Sequence, residues 1–298
     1  MVYTPEGIFS AMPTPFKKDE SLDLEGIRTL IQFYMEAGLS GVLVLGTSGE
    51  LTMLTDRELE QVVDTAVDEA NGKTKVIVGT GMPSTRKTIQ FTKYVKDAGA
   101  DAALVVTPYY FHPSAVGMKD HYVAIARETR FPIIVYNIPS FAGNAITPDM
   151  IYRFSQEEYI VGIKDSSGAI FDLTEIIRLS PKRFSILCGW DPLLMAGLLL
   201  GAKGGMLGSA AVAPKLVLDL YKASLEKRVD EARDLQKRVH FIFRAMFVGT
   251  FPAALKAALN LVGLPGGFVR SPLENLKTAE MARVRFDLER AGVLEQLE

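Results

Sequence analysis

The sequence predicts an α/β chain folded as a (β/α)8 barrel with a C-terminal helical extension. Eight short, nearly continuous apolar runs alternate with longer amphipathic segments, the signature of parallel strands buried on both faces and joined by helices. The turn after the first run reads Met12-Pro13-Thr14-Pro15, which lacks the glycine-rich phosphate turn of an open doubly wound sheet. The 298 residues also exceed what such a barrel requires, roughly 250, leaving about 50 for further helices.

The expected strands are 7–12, 41–46, 76–81, 102–107, 132–138, 160–164, 184–189 and 204–209. Segments 24–37, 55–70, 85–98 and 115–129 carry helical periodicity between the first five. Thr55 with Glu58 makes a capping box. Pro148, Pro192 and Pro214 each stand at an expected first helical position, and Gly38, Gly72 and Gly99 mark helix ends. Segments near 214–226, 229–246, 250–262 and 278–290 also read as helices, and the last three exceed the barrel's needs. The expected organisation is a barrel over 1–226 and an extension over 227–298, packed as one structural unit.

Composition narrows the function. A formal charge of −2 argues against nucleic acid or an anionic membrane as partner. One cysteine and three histidines without ligand spacing exclude a disulfide framework and give no metal motif. His112, His121 and His240 read as surface or helix residues, and Cys188 as buried and inert. The N-terminal segment lacks the basic start and apolar run of a signal peptide, and no charge-free apolar stretch reaches the ~18 residues of a membrane span. A cytoplasmic protein is expected, with no metal and no cofactor.

In this fold the chemistry lies at the C-terminal ends of the strands. Lys164 closes the sixth run, where burial favours the neutral amine that attacks a ketone and forms an imine. A snorkelling lysine, or one paired with Asp165, is the competing reading. Tyr136 closes the fifth run, where a phenol can move a proton or simply pack its ring. Gly46-Thr47-Ser48-Gly49-Glu50 forms a loop whose backbone N–H groups can converge on a carboxylate, or an ordinary turn.

Gly46-Thr47-Ser48-Gly49-Glu50, Pro108-Tyr109-Tyr110, Tyr136-Asn137-Ile138-Pro139 and Gly162-Ile163-Lys164-Asp165, in this order, resemble the dihydrodipicolinate synthase / N-acetylneuraminate lyase family. The resemblance runs from Ala11 to the C-terminal helices. It implies Lys164 as the Schiff-base lysine, Tyr136 as the proton-transferring phenol, and Thr47 and Ser48 as ligands of a pyruvyl carboxylate, with Thr47 bridging tyrosines in a relay. It also implies that Tyr110 enters a neighbouring subunit's site, hence a homo-oligomer built as a dimer of dimers.

The aldehyde side is less settled. The family's synthase branch carries an arginine two residues after the proline of Tyr136-Asn137-Ile138-Pro139, and here that residue is Phe141, which cannot clamp a carboxylate. Ser166, Asp191 and Ser209 lie at positions similar to the sugar-contacting ones of the sugar-acid aldolases. Asp191 also suits a helix N-cap, Ser209 suits its place by size alone, and Pro192 stands where neuraminate lyases have a glutamate. The expectation is therefore a lyase that cleaves or forms a 4-hydroxy-2-oxo acid, from a 2-keto-3-deoxy sugar acid or 4-hydroxy-2-oxoglutarate. Dihydrodipicolinate synthase activity and Schiff-base dehydration are the alternatives within the family. A 2-oxo acid-binding barrel without turnover and a metal-dependent barrel enzyme are the alternatives outside it.

Overall fold

The computed structural model describes residues 2–295; the first residue and the last three of the expected extension lie outside it. Eight strands form a closed parallel barrel in chain order: β1 (Gly7–Ala11), β2 (Gly41–Val44), β3 (Lys75–Gly79), β4 (Ala102–Val106), β5 (Ile133–Asn137), β6 (Ile160–Asp165), β7 (Ser185–Cys188) and β8 (Gly204–Leu207). All eight overlap the expected runs; most are trimmed at one or both ends, whereas β3 begins one residue earlier, at Lys75, and β6 runs one residue further, to Asp165.

Two apolar layers hold the barrel. Strand residues alternate between its interior and the helix side. Phe9, Leu43, Ile77, Leu104, Ile134, Leu187 and Met206 fill the interior. Ile8, Val42, Val78, Val105, Val135 and Ile186 meet the surrounding helices. Helices Leu24–Glu36, Asp56–Ala70, Thr85–Asp97 and Ala115–Thr129 follow the first four strands, and Thr55 with Glu58 closes the expected capping box. After β8, helix Pro214–Leu225 returns along the barrel, and Val229–Met246, Ala253–Leu261 and Thr278–Arg290 follow it. No helix among the described residues is long and apolar enough to cross a membrane.

One local expectation needs correction. Asp191 does not cap a helix beginning at Pro192, because Asp191–Leu193 is itself a 3-10 turn ahead of helix Leu194–Leu200. Its carboxylate instead accepts the backbone N–H of Ser209, 2.8 Å away. His121 is a helix residue, within the expected surface-or-helix reading, and is 4% exposed, with Nδ1 2.9 Å from the Thr85 hydroxyl and its ring edge-on to Tyr122.

The decisive feature of the sheet is a register shift. Ile133 pairs with Ile160, but Ile134 pairs with Gly162, so Val161 is an extra residue in β6. Such a bulge reverses the alternation beyond it. Val161 lies in the interior cluster while Ile163 lies on the helix side. Lys164 therefore turns inward level with Tyr136, its partner in the register. Gly162 fits the tight pairing, because a Cβ there would stand 2.6 Å from the Ser185 carbonyl oxygen.

Burial pushes the His121 imidazole down to about 4 from 6.5. Between those values the unfolded chain binds a proton that the folded chain refuses, so stability falls as pH drops from 6.5 to 4. The expected loss is roughly 3 kcal/mol. Urea melts from pH 7 to pH 4 measure it, and His121→Gln is expected to flatten that part of the profile.

Candidate functional site

Lys164 stands at the mouth of the barrel above Met206 and Leu187, 4% exposed. Its Nζ lies 4.3 Å from the centroid of the Tyr136 ring. It makes no ion pair among the described residues. Asp165, its neighbour in sequence, faces the helix side, where it accepts from Asn137 Nδ2 at 2.8 Å and Ser167 Oγ at 2.9 Å. The pairing of Lys164 with Asp165 is thus excluded by strand alternation. Gly189 leaves the lysine its corridor: a Cβ there would lie 2.8 Å from Lys164 Cε and 2.1 Å from Ser166 Oγ.

The loop after β2 reaches over this lysine. Thr47 Oγ1 is 3.3 Å from the Tyr136 hydroxyl. The N–H groups of Thr47 and Ser48 have no acceptor among the described residues, so two adjacent donors are available to an anion. Gly49 differs from the expectation: its N–H donates to the Gly46 carbonyl, and a Cβ would press on the Leu45 backbone at 2.7 Å. Gly49 shapes the turn and offers no free donor.

Other expected residues divide into those that meet Lys164 and those that do not. Ser166, Asp191 and Phe141 line the same cavity as the lysine. Ser166 Oγ is buried without a partner, as a hydroxyl awaiting a ligand would be. Burial raises the Asp191 carboxyl, countered by its hydrogen bonds with Ser209 and by Lys164. Ser209 does not line the cavity; it supplies the N–H that anchors Asp191. Phe141 follows β5 in helix Pro139–Ala142, half exposed, with its ring 5.7 Å from Phe251. Tyr110 is 85% exposed, with φ +73°, and its ring packs edge-on against Phe111. Its neighbour Tyr109 lines the adjoining compartment.

That compartment, about 270 Å³, meets the lysine cavity at Thr47, Tyr136, Ile138 and Phe141, and extends past Leu45 and Val106 to Glu50 and Tyr109. Among the described residues, Lys164 is the one cation lining either space. Strand-end positions alone did not reveal the whole outer wall. Phe243, Met246, Phe247 and Phe251 close the lysine cavity together with Trp190. Neighbouring rings of this wall lie 4.8–5.9 Å apart. The spacing of Phe243, Phe247 and Phe251 by four residues was the available signal. Cys188 is buried, its thiol pushed up to about 12 by burial. No group of three or more metal-ligating side chains occurs among the described residues.

A buried, unpaired primary amine beside a phenol, with two free N–H donors nearby, is equipped to hold a 2-oxo acid as an imine. The comparisons with known proteins agree with that chemistry. The chain is 40% identical over 280 residues to the 4-hydroxy-tetrahydrodipicolinate synthase of Archaeoglobus fulgidus, covering 94% of this chain and 96% of that one. It superposes on the Acinetobacter baumannii dihydrodipicolinate synthase solved with pyruvate at TM-score 0.94 and 33% identity, over 98% of this chain and all of the other. A monomeric dihydrodipicolinate synthase variant matches at TM-score 0.93 and 32% identity, over 97% of each chain. The family model for the dihydrodipicolinate synthetase family matches residues 4–291. The chain belongs to the dihydrodipicolinate synthetase family.

Proposed function

We propose that this carbon–carbon lyase holds pyruvate as an imine on Lys164 and joins it to an aldehyde, as a condensing synthase of the 4-hydroxy-tetrahydrodipicolinate type. The observation that carries the chemistry is the inward, unpaired Lys164 amine 4.3 Å from the Tyr136 ring. The amine adds to the C2 carbonyl and water leaves, giving an iminium. Loss of a C3 proton gives the enamine, whose C3 attacks the aldehyde carbon while the aldehyde oxygen takes a proton. Tyr136 and Thr47, 3.3 Å apart, carry these protons, and the Thr47 and Ser48 N–H groups receive the pyruvyl carboxylate. The exposed Tyr110 supports a second copy completing the relay, in the compartment beside Tyr136. The related monomeric variant makes the oligomeric state of this chain an experimental question.

The relatives' names support condensation with aspartate semialdehyde over the sugar-acid lyase reading that the sequence suggested first. Phe141 favours that second reading. Among the described residues, no arginine lines either compartment, and the cavity wall beside Lys164 is aromatic, so those walls offer an acceptor carboxylate no bidentate partner.

Borohydride reduction in the presence of pyruvate, followed by peptide mapping, tests the imine. A pyruvate adduct is expected on Lys164 and is lost in Lys164→Ala; its absence from folded wild type would refute the proposal. Tyr136→Phe should still form the adduct but turn over roughly 10²-fold more slowly, as expected when acid–base catalysis is lost. Phe141→Arg should raise kcat/KM for aspartate semialdehyde. If wild type already outpaces the variant with that aldehyde and leaves 2-keto-3-deoxy sugar acids uncleaved, the synthase reading stands and the Phe141 argument fails.

A further inference from the structure

The loop that carries Thr47 and Ser48 ends in a charge that the proposed chemistry does not use. Glu50 is 4% exposed and adopts a left-handed backbone, φ +54°, unusual for a residue with a side chain. Its carboxylate forms an ion pair with Lys256, whose residue is 1% exposed and which projects from helix Ala253–Leu261. Lys256 Nζ also donates to the Phe268 carbonyl and lies 4.1 Å from the centroid of the Phe16 ring. Arg270 stands 4.3 Å from the same ring, donates its backbone N–H to Glu50 at 3.5 Å, and pairs with Glu58 at the start of helix Asp56–Ala70. Burying an ion pair carries a desolvation penalty that an apolar pair would avoid. What the charges provide is direction: both fix the end of a four-residue turn whose other end bonds Tyr136.

We propose that Glu50 and Lys256 are positioning residues, which hold the Thr47–Ser48 turn in the geometry that receives the pyruvyl carboxylate and couple it to the C-terminal helices. This inference rests on the proposed imine chemistry. A strained turn relaxes when its anchor is lost, and a displacement of about 1 Å at a binding loop can lower activity by as much as ~10²-fold.

The test uses Lys256→Met and the neutral pair Glu50→Gln with Lys256→Met, in the full chain. The pair leaves no buried charge uncompensated, so its Tm should lie near the wild-type value. Positioning predicts that the pyruvate concentration for half-maximal borohydride trapping on Lys164 rises about ten-fold in the pair, while the maximal extent of trapping is retained. A merely structural role predicts recovered Tm together with wild-type trapping, and that result would overturn the proposal. Amide exchange over 46–53, measured without pyruvate, separates the two claims. If wild type fails to trap pyruvate, the imine reading falls, and the anchor is still judged by exchange: faster in the folded pair supports it, and unchanged rates refute it.

Discussion

One extra residue in β6 determines where the chemistry can occur. In a regular strand, Val161 facing inward would place Ile163 inward and Lys164 among the helices. The bulge at Val161 reverses that order and brings Lys164 level with Tyr136 across the β5–β6 ladder. The same reversal sends Asp165 outward to Asn137 and Ser167, removing the carboxylate nearest in sequence from the amine. A primary amine held inside the barrel beside the Tyr136 ring is placed to act as a nucleophile toward a 2-oxo acid. Gly162 and Gly189 make the arrangement sterically possible on either side of Lys164.

The cavity built on this lysine is polar at its base and apolar at its rim. Thr47, Ser48, Ser166 and Asp191 line it with the amine, whereas Phe141, Trp190, Phe243 of helix Val229–Met246, and Phe247 and Phe251 beyond that helix close the outside. The C-terminal extension therefore contributes to the site as well as to the fold. Its helix Ala253–Leu261 contacts the end of the Thr47–Glu50 turn through the Lys256–Glu50 ion pair. The barrel presents the reactive groups, and the extension shapes what reaches them.

Much of this was legible in the sequence because strand burial and helix periodicity leave strong local marks. The eight apolar runs became the eight strands, and helix Thr278–Arg290 has the bounds that its periodicity predicted. Lys164, Tyr136 and Thr47 converge because each sits at a strand end or in the loop after one. The bulge was not legible, since an apolar run reads the same with or without an extra residue. Pairing of Asp191 with Ser209, and of Glu50 with Lys256, joins positions 18 and 206 residues apart, which no local pattern reports. The aromatic wall was visible as a pattern, but a helix face shows only that it is buried, not what it covers. The acceptor aldehyde was not legible for a related reason: Phe141 reports the loss of one carboxylate clamp, whereas the likeness to the synthases rests on the whole chain.

The most direct measurement is a crystal structure of the chain soaked with pyruvate. The account predicts continuous density from Lys164 Nζ to pyruvate C2, with the carboxylate on the Thr47 and Ser48 N–H groups and the methyl carbon facing the Tyr136 hydroxyl. Pyruvate bound with its carbonyl intact, or seated away from Lys164 in a well-ordered cavity, would contradict it.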